Sequence, residues 1–234
     1  MKNIEVRKIV EAFRFPILLV AVMWLVKIIE FLSEQSFSSY GLYPREVFGL
    51  QGIITSVFLH GDWKHLFNNS VPMLILGWAL FYFYKEVAWK IIIWVVIMGG
   101  FWTWISAREA NHIGSSGLVY GLFSFLLLSG FIRVHKQLIS ISFLVAFLYG
   151  SLVWGLLPID YKMSWESHFW GFVAGSALAI YYRKIGMQRK RHEWNEEEEE
   201  LFDQLDYWKN EDDPKSKSNF NYVYKPKNGS GNQA

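Results

Sequence analysis

Apolar residues in this chain gather into six long blocks, at roughly 14–33, 64–84, 88–107, 115–132, 137–157 and 167–183. A helix needs about 20 apolar residues to cross the hydrocarbon core of a bilayer. Each block is near that length, so the pattern predicts six membrane-spanning helices in an all-α membrane protein. Helices suit that solvent because they satisfy every backbone polar group internally. The first block holds two charges, Lys27 and Glu30, three residues apart and able to share a face. Either they snorkel to the outer interface or they face the bundle.

The polar breaks give direction. Lys2, Arg7, Lys8 and Arg14 lead into the first block; Lys85 and Lys90 flank one break; Arg133, His135 and Lys136 flank another. Arg183, Lys184, Arg189, Lys190 and Arg191 follow the last block. With six crossings these sites share one side, which the positive-inside rule assigns to the cytoplasm together with both termini. The other side receives 34–63 and short connections near 108–114 and 158–166. Stretch 34–63 is itself apolar, with Phe48, Leu50, Ile53, Ile54, Val57, Phe58 and Leu59. It is expected to fold back onto or into the membrane, where irregular backbone survives only against protein or a cavity.

Three regions follow: a cytoplasmic segment 1–13, a transmembrane domain 14–183 and a cytoplasmic charged tail 184–234. The first block is too long for a signal-peptide core and lacks a convincing cleavage site, so it reads as a retained helix. The tail runs from basic to acidic at Glu196–Glu200, then through a short amphipathic stretch into a polar end with the composition of a disordered chain. Composition agrees: 52% of the 234 residues are hydrophobic, 19% are charged, and mean hydropathy is +0.16. A net charge of +2 gives no argument for nucleic acid, and the absence of cysteine excludes disulfides, thiol catalysis and thiolate metal sites.

Polar groups at membrane depth are costly and usually serve a cavity, a partner or a reaction. Ser116 follows the turn Ile113-Gly114-Ser115-Ser116-Gly117 and opens the fourth block. A helix start offers free N–H groups, which suit a developing oxyanion. The same fragment could be a cap or a close-packing face. His168 opens the sixth block, and Gly171 and Gly175 behind it form a small face that admits a neighbouring helix. Imidazole is the usual proton acceptor for a serine nucleophile. Glu166 does not share the His168 face and is not counted as a third member. His65 and Asn69 lie one turn apart and present donors suited to an oxyanion, or else an interhelical clasp. Asn68 points elsewhere. Tyr120, four residues after Ser116, could stack on His168 or simply fill an interface. His60, His65, His112 and His168 invite a metal, but His60 and His65 are five apart with no glutamate between them, so neither metal nor cofactor is expected.

Taken jointly, His65 with Asn69, Gly114-Ser115-Ser116-Gly117 with Tyr120, and His168 with Gly171 and Gly175 resemble the rhomboid family of intramembrane serine proteases, over about residues 12–183. Gly41-Leu42-Tyr43-Pro44-Arg45, and Gly49 to Thr55 ahead of Phe58-Leu59-His60, resemble stretches of bacterial members. The Trp-Arg pair of several members is absent, with Tyr43-Pro44-Arg45 its nearest counterpart. The resemblance implies a rhomboid-like bundle of six transmembrane helices in a bacterial inner membrane. It implies Ser116 as nucleophile, His168 as general base, and an oxyanion hole of His65, Asn69 and the Ser116 amide. Gly114, Gly117, Tyr120, Gly171 and Gly175 would support them. The activity implied is endopeptidase cleavage of single-span or multi-span membrane proteins in the lipid bilayer, without cofactor or nucleic acid. The alternative is a proteolytically silent relative that binds or handles membrane proteins. A transporter fits less well, since no inverted repeat and few intramembrane acids are present. The pattern sets no oligomeric state.

Overall fold

The computed structural model describes residues 2–148, 155–158 and 163–185. Helix α1 spans Lys2–Ser33. Short turns follow, with α2 at Gly52–Thr55 between 3-10 turns Val47–Gln51 and Ser56–Phe58. Then come α3 (Trp63–Phe83), α4 (Ala88–Ser106), α5 (Ser116–Arg133), α6 (Lys136–Leu148) and α7 (Trp165–Tyr181). Four of these, α1 from Val6 onward, α3, α4 and α5, are long and apolar enough to cross a membrane. The protein is a multi-span helical membrane bundle. Large side chains such as Leu18, Ile93, Phe101 and Phe147 lie exposed on its flanks. Such a surface suits lipid and would be a liability in water.

Helix α1 begins well before the apolar block at 14, because nothing in Lys2–Arg14 stops a helix; Arg7 and Glu11 even pair at 2.9 Å one turn apart. Pro16 does not break it, and packs its ring against Gly77 of α3. Trp24 donates to Ser70 at 3.0 Å, a second tie between α1 and α3. The span expected at 137–157 is described as helix to Leu148; its middle, and the tail 186–234, lie outside the described residues.

Segment 34–62 is pinned to protein, as irregular backbone near lipid must be. Leu42 and His112 exchange backbone hydrogen bonds at 3.0 and 2.8 Å. Arg45 gives its amide to Trp104 O and its guanidinium to Ala107 O at 2.7 Å, so this arginine anchors the segment without a tryptophan before it. Lys27 and Glu30 do not run out along the interface. They pair at 2.6 Å and turn toward this segment.

Helix α5 is the centre: 67% of its most apolar window is buried, against 17% for α1. Its Leu122, Phe125 and Leu126 meet Leu76 and Leu80 of α3 and Ile91 and Val95 of α4 in one core. At its far end Arg133 is buried and donates to Tyr182 O at 2.6 Å and Ile185 O at 2.8 Å, which ties α5 to the end of α7.

Candidate active site

The α5–α7 seam has no side chains at its closest points. A Cβ on Gly171 would collide with the carbonyl of Gly117, and one on Gly175 with the carbonyl of Gly121. Glycines at four-residue spacing on both helices therefore let backbone meet backbone. That approach brings His168, one turn ahead of Gly171, onto the first residue of α5. His168 Nε2 lies 2.8 Å from Ser116 Oγ. His168 Nδ1 lies 2.8 Å from the carbonyl of Gly155. A carbonyl only accepts, so Nδ1 carries the proton and Nε2 presents its lone pair to the serine hydroxyl. Tyr120 stacks on the imidazole, with centroids 4.3 Å apart and planes inclined by 12°. Serine and histidine are both buried.

Around Ser116 the donors converge. Gly114 has φ +114°, a backbone region that side-chain-bearing residues rarely adopt. A Cβ built there would sit 2.7 Å from His65 Nε2 and 3.5 Å from Asn69 Nδ2. One point beside the turn is thus reached by both side chains. Asp62 caps α3 by accepting from the His65 amide at 2.8 Å, which sets where His65 and Asn69 leave the helix. Asn69 is buried, and its Nδ2 has no partner among the described residues. Leaving a buried donor unmade costs about 1–3 kcal/mol. The Ser116 amide, first in its helix, likewise makes no backbone bond to a described residue. Asn68 is exposed and faces away. Ser115 is fully buried, and among the described residues its hydroxyl has no hydrogen-bond partner, histidine included.

A second histidine–serine pair lies nearby in the chain. His112 Nδ1 is 2.5 Å from Ser164 Oγ, while His112 Nε2 donates to Arg108 O at 3.0 Å. Ser164 Oγ also meets Ser167 Oγ at 2.8 Å. Glu166 pairs with Arg108 at 3.6 Å and accepts from its amide, so it is engaged away from His168. A cavity bordered by Leu42, Ser56, Thr103, Gly117 and Ser167 lies against the Gly114 turn. Among the described residues no three metal-ligating side chains come together.

Sequence reasoning passed over Gly121, Gly155 and the role of His60. Gly121 was findable, since Gly117 and Gly121 repeat the spacing of Gly171 and Gly175. Gly155 acts through its carbonyl, which no residue type advertises. His60 lies with its Nε2 at 3.5 Å from the Ser115 amide.

The family model described as Rhomboid domain matches residues 47–185. An uncharacterized protein of Mycobacterium tuberculosis is 36% identical over 172 residues, covering 68% of this chain and 70% of that protein. An uncharacterized protein of Mycobacterium leprae is 32% identical over 173 residues, covering 68% and 66%. The family match begins after α1.

Proposed function

This chain belongs to the rhomboid family, and from that premise we propose that it is an intramembrane serine endopeptidase that cleaves membrane-spanning or membrane-adjacent segments of other proteins. The observation that carries the reading is the 2.8 Å contact of Ser116 Oγ with His168 Nε2 beside a point reached by two side-chain donors.

Ser116 attacks the scissile carbonyl as its proton passes to His168 Nε2. The oxygen that gains charge is held by the Ser116 amide, Asn69 Nδ2 and His65. The tetrahedral adduct collapses, the departing amine takes the proton from His168, and an acyl-Ser116 ester remains. Water, deprotonated by the same imidazole, then releases the acid product and restores the serine. Among the described residues no carboxylate meets the His168 ring. The Gly155 carbonyl fixes its tautomer and Tyr120 its plane, which together do the orienting task of an aspartate in a soluble triad. Gly114 keeps the oxyanion volume clear, and Gly117, Gly171 and Gly175 set the spacing of the two helices.

Six spans with both termini in the cytoplasm, in a bacterial inner membrane, complete the proposal. The basic residues on one set of connections support it. The deciding experiment incubates the purified protein in detergent with a panel of single-span substrates beside Ser116→Ala. Cleavage by the wild type alone is expected. Cleavage by neither, with no labelling of Ser116 by a fluorophosphonate, would leave a proteolytically silent member that handles membrane proteins.

A further inference from the structure

Helix α1 supplies none of the groups proposed for the chemistry and precedes the family match, yet its charged pair is aimed at the site. Lys27 Nζ, 2.6 Å from Glu30 Oε2, donates to the carbonyls of His60 at 2.9 Å and Gly61 at 3.0 Å. Glu30 uses its other oxygen to accept from the Phe37 amide at 2.9 Å. The lysine is thus neutralised and held, with only 11% of its side chain exposed. The peptide it grips carries the His60 ring, which is buried. His60 Nδ1 faces Phe58 O at 3.4 Å, so Nδ1 bears the proton and Nε2 accepts from the Ser115 amide at 3.5 Å. One residue earlier, the Gly114 amide donates to Ser56 O at 2.9 Å. Two consecutive amides of the turn are therefore held by segment 56–60, and the third, on Ser116, is left for an incoming oxygen. The same His60 ring meets the His65 ring edge to face at 5.1 Å.

Resting on the proteolytic reading above, we propose that Lys27 and His60 are positioning residues for the oxyanion turn. Lys27 holds the His60–Gly61 peptide, and the His60 ring holds the Ser115 amide and braces His65. The Ser116 amide and the His65 side chain then stay aimed at one point. A first helix without catalytic groups becomes part of the site through two contacts.

The test compares His60→Leu, His60→Gln and Lys27→Met in the full-length protein in detergent. Leucine removes the acceptor; the glutamine Oε1 can still accept from the Ser115 amide. A small misplacement of a reacting group can cost about a hundredfold in rate. We expect His60→Leu to lower kcat by about ten- to a hundredfold with KM within about twofold. His60→Gln should recover much of that loss, and Lys27→Met should show a smaller fall. A second readout does not depend on turnover: amide hydrogen exchange in peptides covering 113–118 should quicken in His60→Leu and Lys27→Met and stay near wild type in His60→Gln. Unchanged kcat in His60→Leu, glutamine no better than leucine, or unaltered exchange in Lys27→Met would each overturn the proposal. If His60→Leu does not fold, Lys27→Met and His60→Gln still decide it. A wild type that neither cleaves nor labels would defeat the proteolytic reading, whereas the exchange result would still stand or fall alone.

Discussion

Two histidine–serine side-chain pairs occur among the described residues, and locally they are alike. In each, one ring nitrogen gives its proton to a backbone carbonyl, Gly155 for His168 and Arg108 for His112. In each, the other nitrogen meets a serine hydroxyl, at 2.8 Å for Ser116 and 2.5 Å for Ser164. The surroundings differ. Ser116 starts an 18-residue helix two residues after a glycine at φ +114°, and lies near Asn69 Nδ2, which has no partner among the described residues. Ser164 shares its hydroxyl with Ser167, beside the Arg108–Glu166 ion pair. The first arrangement leaves a buried donor, Asn69 Nδ2, without a partner among the described residues, as the proposed reaction would need. The second is a polar network joining the 107–115 connection to the start of α7, and its serine already has a second hydroxyl as partner. A histidine close to a serine therefore says little until the neighbouring donors are counted.

The sharpest way to break this comparison is to exchange the two pairs as suspects. Ser116→Ala or His168→Ala should remove both proteolysis and fluorophosphonate labelling; losing either partner in a soluble serine protease costs roughly 10⁶ in kcat. Ser164→Ala should keep both activities. Labelling that survives in Ser116→Ala and disappears in Ser164→Ala would reverse the assignment. Next in size is Asn69→Ala. Loss of one oxyanion donor costs about 10²–10³ in kcat, and the expected variant is folded, slow, and unchanged in KM. A variant as fast as wild type would show that the unpaired amide has another purpose.

Gly175→Ala tests the seam that brings Ser116 and His168 together. The added methyl would run into the Gly121 carbonyl and Ser124 Oγ. Overpacking of this kind costs about 1–3 kcal/mol. Thermal unfolding in detergent should register that loss, and turnover should fall with it as the helices separate. Normal stability and turnover together would mean that the seam has slack.

Acid should weaken the fold in a defined window. Burial, helped by the neighbouring His65 and Lys27 charges and opposed by the Phe58 carbonyl and Glu30, holds His60 down to about 4, against about 6.5 for a free imidazole. Between those values the unfolded chain takes a proton that the folded protein refuses. The stabilising contribution is thus complete above about pH 6.5 and declines as pH falls toward 4. His112, also lowered by burial, adds to the same slope. Melting temperature measured from pH 7 to 4 should fall, and His60→Gln should flatten the curve; an unchanged slope in that variant would assign the acid sensitivity elsewhere. The smallest effect is expected for Ser164→Ala, where loss of a hydrogen bond costs on the order of 1 kcal/mol in unfolding free energy.

Helical periodicity made much of this legible in the chain itself. His65 with Asn69, Ser116 with Tyr120, and Gly171 with Gly175 are each four apart, and a helix puts such pairs on one face wherever it packs. Apolar block length marked α3, α4 and α5 within a residue or two at each end, because lipid demands helices of about that length. The start of α1 was not legible, since apolarity reports the membrane and not the helix that runs past it. Nor was the direction of Lys27 and Glu30, because a pair on one face can turn to the interface or to the bundle with equal local geometry. Which helix meets which was decided only in three dimensions. Ser116 and His168 are 52 residues apart, and Ser115 and His60 are 55 apart. A single hydrogen bond, worth on the order of 1 kcal/mol, could not choose between Ser116 and Ser164 as partner for a histidine. That choice belonged to the glycine seam of α5 and α7 and to the close packing around it, where backbone contact along whole helices outweighs any one polar pair.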